Sequence, residues 1–222
     1  MVDTPVPVPP VSPDTPVVPV RPLHAGHRRA ITRHLLALPA HDRYLRFGYA
    51  ASDEQVRRYV EQLDFDRDEL LGIFNRRLEL IALAHLAFAA DRALNTCAEF
   101  GVSVAASVRG RGYGSLLFER AVTKARNEGV SQLFIHALSE NTAMLKIARR
   151  AGATLERAGS ETEAHLRLPP ADFDSRVTEL LNEQVAITDY HLKAQAKQFW
   201  QALALLQDIR RGVREARQRA RG

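Results

Sequence analysis

Residues 98–114 read AEFGVSVAASVRGRGYG, and no other stretch limits the fold of this chain so strongly. Phe100, Val102 and Val104 alternate with small or polar residues, the period of a half-buried strand. Glycines follow at 110, 112 and 114, and the run from Ser115 to Val122 has helical spacing. A strand that passes through a glycine-rich turn into a helix leaves free backbone N–H groups at the positive end of the helix dipole. Such a nest binds anions, most naturally a phosphate or pyrophosphate, and glycine lets the anion approach the backbone. No Lys-Ser/Thr pair follows, so this is not a GxxxxGK[ST] loop, and the glycine spacing is not GxGxxG. A glycine-rich turn without a ligand is the competing reading of the segment alone.

Arg109, Gly112 and Gly114 stand in the spacing R-x-x-G-x-G. This resembles the coenzyme A pyrophosphate motif R/Q-x-x-G-x-G/A of the GNAT superfamily of N-acetyltransferases. Asn141-Thr142-Ala143-Met144 through Arg150-Ala151-Gly152-Ala153 resembles that family's asparagine helix and its exit, with Ala153 where an aromatic residue is usual. Tyr44-Leu45-Arg46-Phe47 resembles a segment of a bacterial branch that includes acetyltransferase domains of protein-lysine acetyltransferases. The resemblance spans about residues 17–168. It implies an α/β fold with a mixed, mostly antiparallel central sheet and helices on both faces. It also implies acetyl-CoA as acyl donor and an amine, small or a protein lysine, as acceptor.

Residue by residue, the resemblance places the pyrophosphate on Arg109, Gly110, Arg111, Gly112, Tyr113 and Gly114. It places the pantetheine arm along the backbone of residues 101–104, including Val102 and Val104, which would donate to the thioester oxygen. Asn141 would touch the cofactor arm, and it reads equally as the N-cap of its helix. Glu99 interrupts an apolar segment on the cofactor strand and is the candidate general base. The other reading of Glu99 is a strand glutamate that faces solvent or pairs with Arg77. A general acid is missing: many relatives have a tyrosine after the apolar position of the short helix, and here Ile147 is followed by Ala148. Ser139 lies near the expected cleft but is a poor acid. A module that binds acyl-CoA without catalysis is therefore the alternative function.

The length of 222 residues allows one ordinary domain and an appendage. Cys97 is the single cysteine, which excludes an internal disulfide scaffold and a cysteine metal cluster. His24, His27 and His34 have no neighbouring carboxylate or cysteine in sequence, and no metal site is read there. The apolar runs are too short to span a membrane and no secretory leader is evident, so a cytoplasmic location is expected.

Residues 1–16 are proline-rich and should form a disordered arm, followed by the acetyltransferase domain at 17–170. Within that domain the spacing predicts a short strand at 17–21, a helix at 24–36, a break in pattern from 37 to 51 that starts with Pro39, and a helix from Ser52 to about Leu63. A solvated acidic turn should occupy 64–68, with strands at 70–74 and 78–90 and a turn at 91–95. After the glycine turn come a helix to about Glu128, a strand at 132–138, a helix at 144–150 and a hairpin at 154–158 and 161–168. Residues 171–222 read as a helical extension whose apolar stripes, with Trp200 among them, would pack on the domain or form a homodimer. The last thirteen residues carry six arginines and no aromatic residue, so nucleic acid is not the expected partner.

Overall fold

The structure is a computed structural model that describes residues 18–89, 97–159 and 161–171. The proline-rich arm, the turn expected at 91–95 and the extension from residue 172 onward lie outside these residues. The chain runs through β1 (Arg21–Pro22), a 3-10 turn (Ala25–His27), α1 (Arg28–Leu36), α2 (Ala40–Phe47), α3 (Asp53–Glu61), β2 (Glu69–Phe74) and β3 (Leu80–Phe88). It continues through β4 (Cys97–Val104), α4 (Tyr113–Asn127), β5 (Gln132–Leu138), α5 (Thr142–Arg150), β6 (Thr154–Ala158) and β7 (Glu161–Arg167).

Local chemistry explains most of these boundaries. Ser52 and Gln55 close the expected capping box: the Ser52 hydroxyl accepts from the Gln55 N–H at 3.2 Å and the Gln55 amide oxygen accepts from the Ser52 N–H at 2.8 Å. Three expectations need correction. The first strand is displaced to Arg21–Pro22, where it meets Gly72 and Leu71 of β2. The segment expected to break the pattern holds helix α2; Pro39 is its N-cap and starts it, and Gly48, at φ 78°, ends it. The acidic turn is not wholly solvated, because Asp68 is buried.

The strands order as β1-β2-β3-β4-β5-β7-β6. Among these strands β4 and β5 form the one parallel pair, and the other neighbours are antiparallel. α1 and α3 cover one face through Ile31, Leu35, Val56 and Val60, packed on Leu70, Leu80 and Leu83. α4 and α5 cover the other through Leu117, Ala121, Leu145 and Ala148. Phe100 of β4 meets Phe118 of α4 edge-on at 5.1 Å in that second core.

His34 ties α1 to the middle of the sheet. Its Nδ1–H donates to the Leu80 carbonyl at 3.1 Å, which leaves Nε2 to accept from the Ser103 hydroxyl at 2.9 Å. Burial lowers its pKa to about 4, so the ring is neutral at neutral pH. The unfolded chain takes up this proton near the ordinary value of 6.5, whereas the folded chain resists it down to about 4. Stability is therefore full above the unfolded pKa and falls as the pH drops through this window, by about 3 kcal/mol from His34. Thermal melting between about pH 7 and 4 should show a decline that is shallower in His34→Gln; parallel curves would refute the assignment.

Candidate active site

β4 and β5 align at three pairs only: Cys97 with Gln132, Ala98 with Leu133 and Glu99 with Phe134. Beyond Glu99 they part, and β4 continues along β3 alone as far as Val104. The Ala105 N–H donates to the Ile81 carbonyl at 2.9 Å, and the Cys97 carbonyl accepts from the Ala89 N–H at 3.3 Å. The odd-numbered residues of β4 thus aim their backbone groups at β3. Val102 and Val104 aim theirs the other way, into the gap left by β5.

The glycine turn closes one end of this gap. Gly110 and Gly112 take φ of 75° and 80°, a left-handed conformation that disfavours other residues. Gly112 is the N-cap of α4, and no side chain caps that helix. The orphan N–H groups of its first turn are thereby left to a ligand or to solvent. Gly114 is fixed by packing: a Cβ there would lie 3.3 Å from Ile147 Cδ1 and 3.9 Å from Val104 Cγ2.

A cavity of about 520 Å³ runs from the turn into the gap. Val102, Val104, Arg109, Gly110, Gly112, Tyr113, Gly114 and Asn141 all line it, and Arg111 does not. Asn141 caps α5, its side chain accepting from the Met144 N–H at 3.2 Å, and so starts the helix two residues before its apolar spacing begins. Glu99 is exposed on β4 and is not among the lining residues. Ser139 shares a hydrogen bond of 2.9 Å with Thr162 and is also outside the lining. Ala148 is buried on the inner face of α5.

One wall of the cavity comes from the segment expected to break the pattern. α2 supplies Leu38's neighbours His41, Asp42, Leu45 and Arg46 to the cavity. Asp42 is buried in the first turn of α2 and forms an ion pair with Arg109 of the glycine turn. Arg46 lies over Gly101. Its Nη2 donates to the Tyr59 hydroxyl at 3.0 Å, Tyr59 meets His85 Nδ1 at 2.8 Å, and His85 Nε2 meets Asp68 Oδ2 at 3.0 Å. Burial lowers the pKa of His85, against the opposing hydrogen bond to Asp68. The readable signals were the Pro39 start, the Asp42 in the first turn and the Gly48 stop.

The uncapped helix start accommodates an anion, and the open edge of β4 accommodates an extended arm with amide groups, which suits coenzyme A. Fold and site together define an acyl-CoA-dependent transferase. The model of the acetyltransferase (GNAT) family matches residues 34–153. The chain belongs to that family and is an acetyltransferase that uses acetyl-CoA. Its fold is similar to the GNAT domain of S. lividans PAT, with 24% identity and a TM-score of 0.58 over 67% of this chain and 89% of that one. It is also similar to a GNAT superfamily phosphinothricin acetyltransferase of Sinorhizobium meliloti, solved with acetyl-CoA, with 15% identity and a TM-score of 0.54 over 70% of this chain and 94% of that one. Among the described residues no helix is long and apolar enough to cross a membrane.

Proposed function

We propose that the acceptor is a primary amine and that the acetyl group passes to it directly in the gap between β4 and β5. The observation that carries this reading is the divergence of the two strands after Glu99, with the uncapped start of α4 at its mouth. When bound, acetyl-CoA supplies an activated acyl carbon and a thiolate leaving group. The first-turn N–H groups of α4 hold its pyrophosphate, with the side chain of Arg109 as a charge partner. The backbone of Val102 and Val104 aligns the arm, and an N–H directed into the gap steadies the thioester oxygen. Asn141 contacts the arm from the start of α5 while it caps that helix.

Glu99 takes the proton from the acceptor ammonium, directly or through a water, which suits its exposed place beside the end of the gap. With Ala148 in the position that offers no hydroxyl, the thiolate leaves unaided or takes a proton from water. The direct test is a panel of small amines and lysine peptides with acetyl-CoA, read as free thiol released. Release with no member of the panel, while CoA still binds, would favour the non-catalytic module.

Arg109 pairs with Asp42, so a bound pyrophosphate competes with this carboxylate. Asp42→Asn should free Arg109 and remove a negative charge from the cavity wall. CoA affinity is expected to rise by about threefold to tenfold, the scale of a partly screened charge interaction. Calorimetric titration decides the point; weaker binding in the variant would mean that Asp42 instead holds Arg109 in its binding position.

A further inference from the structure

Arg46 lines the cavity beside β4, and no carboxylate among the described residues pairs with it. A Cβ on Gly101 would lie 2.8 Å from Arg46 Cζ and 2.9 Å from both Nη1 and Nη2. These near-equal separations mean that the guanidinium faces β4 broadside, and the missing side chain at Gly101 makes room for it. The group is held firmly in this place. Its Nη2 bonds Tyr59, and its Cζ lies 5.3 Å from the centre of the Phe47 ring and 5.6 Å from that of Tyr59.

The hydrogen bonds behind it have one consistent direction. Asp68 can only accept, so His85 donates through Nε2 and accepts through Nδ1. The Tyr59 hydroxyl therefore gives its proton to His85 and accepts from Arg46. Asp68, at the far end, is paired with Arg67 at 2.8 Å, which matches its charge locally. Among the described residues Arg46 has no ion pair, and its Nε is buried without a hydrogen-bond partner. A guanidinium at the cavity wall with no carboxylate beside it gains a charge-assisted contact from an anionic group of a ligand.

Charge along the strand supplies the other half of the pattern. His85 stands opposite Gly101 and Ala87 opposite Glu99, so Glu99 and the Arg46 platform share one face of the sheet. Two residues of strand separate them, roughly 7 Å. A positive group and a negative group at that spacing complement an amine that also bears a carboxylate, the carboxylate on the guanidinium fork and the ammonium towards Glu99.

We propose that Arg46 is a specificity-determining residue that receives a carboxylate in the acyl half of the cleft, carried by a small acidic amine as acceptor. Tyr59 is the positioning residue that orients it. This rests on the reading of the cleft as the place of acetyl transfer to an amine. The same carboxylate chemistry has a second source, the acyl chain of a dicarboxylic acyl-CoA, and the experiment separates the two.

The full chain, saturated with CoA, is titrated calorimetrically with glycine, γ-aminobutyrate and ε-aminocaproate and with the carboxamide of each. At least one acid is expected to bind about tenfold more tightly than its carboxamide, the scale of one charge-assisted bidentate contact. Arg46→Gln should abolish the difference, and Tyr59→Phe, which keeps the charge but frees its orientation, should reduce it. In the donor arm, succinyl-CoA is compared with butyryl-CoA. A succinyl preference that Arg46→Gln removes, with acids and carboxamides binding alike, would overturn the acidic amine and move the carboxylate to the donor. Equal binding in both arms of the unaltered chain would overturn the assignment of Arg46 altogether. Binding is read without turnover, so failure to acetylate any amine would count against the transfer reaction and not against Arg46.

Discussion

Gly112→Val is expected to lower CoA affinity by at least about a hundredfold, because two or more hydrogen bonds to a charged group are lost at about 1.5–3 kcal/mol each. Gly112 holds φ at 80° as the N-cap of α4. A β-branched residue is a strained occupant of that region, so the backbone must turn away and carry the first N–H groups of the helix with it. Among the described residues, no atom beyond the two chain neighbours lies within 4 Å of a Cβ built at this position. The substitution therefore crowds the ligand's space and not the protein's core, and the loss should fall on binding far more than on folding. Calorimetric titration with CoA beside a thermal melt reads both quantities. Undiminished affinity would remove the glycine turn from the pyrophosphate site.

Glu99→Gln should reduce kcat/KM for the amine by about a hundredfold or more, within the usual contribution of a positioned general base. The amide cannot accept a proton, so the deficit should be largest at lower pH, where more of the acceptor is an ammonium ion. CoA affinity should stay nearly constant, since Glu99 lies outside the residues that line the cavity. A pH profile from about 6 to 9 that superimposes on that of the unaltered enzyme would show that another group, or bulk solvent, takes the proton.

The parts of the site legible in the sequence are those whose chemistry is local. The glycine turn announces itself because positive φ and an open helix start demand particular residues in a row, and Asn141 does so because a cap sits next to the helix it caps. The strands β2, β3 and β5 were readable for a similar reason, as short apolar runs bounded by turn residues. α2 is easily missed, because a proline that starts a helix looks in isolation like one that breaks it. With α2 went Asp42 and Arg46, whose partners Arg109 and Gly101 come from the other half of the domain. The bond from His34 to Ser103 spans 69 residues of sequence, and no local pattern encodes a pairing of that length. Asp68 was hidden differently, in a run of charges where the usual expectation is solvent.

The three aligned pairs between β4 and β5 make the sheet two half-sheets joined at one corner. Across the rest of the seam, cohesion comes from α4 and α5 packed beneath it through Leu117, Ala121 and Leu145. A donor molecule laid along the open edge of β4 would serve as a removable strut between the halves. At a hundred times its dissociation constant, such a ligand adds about 2.7 kcal/mol to stability by mass action alone. The stability of the domain is thereby tied to the concentration of its own donor.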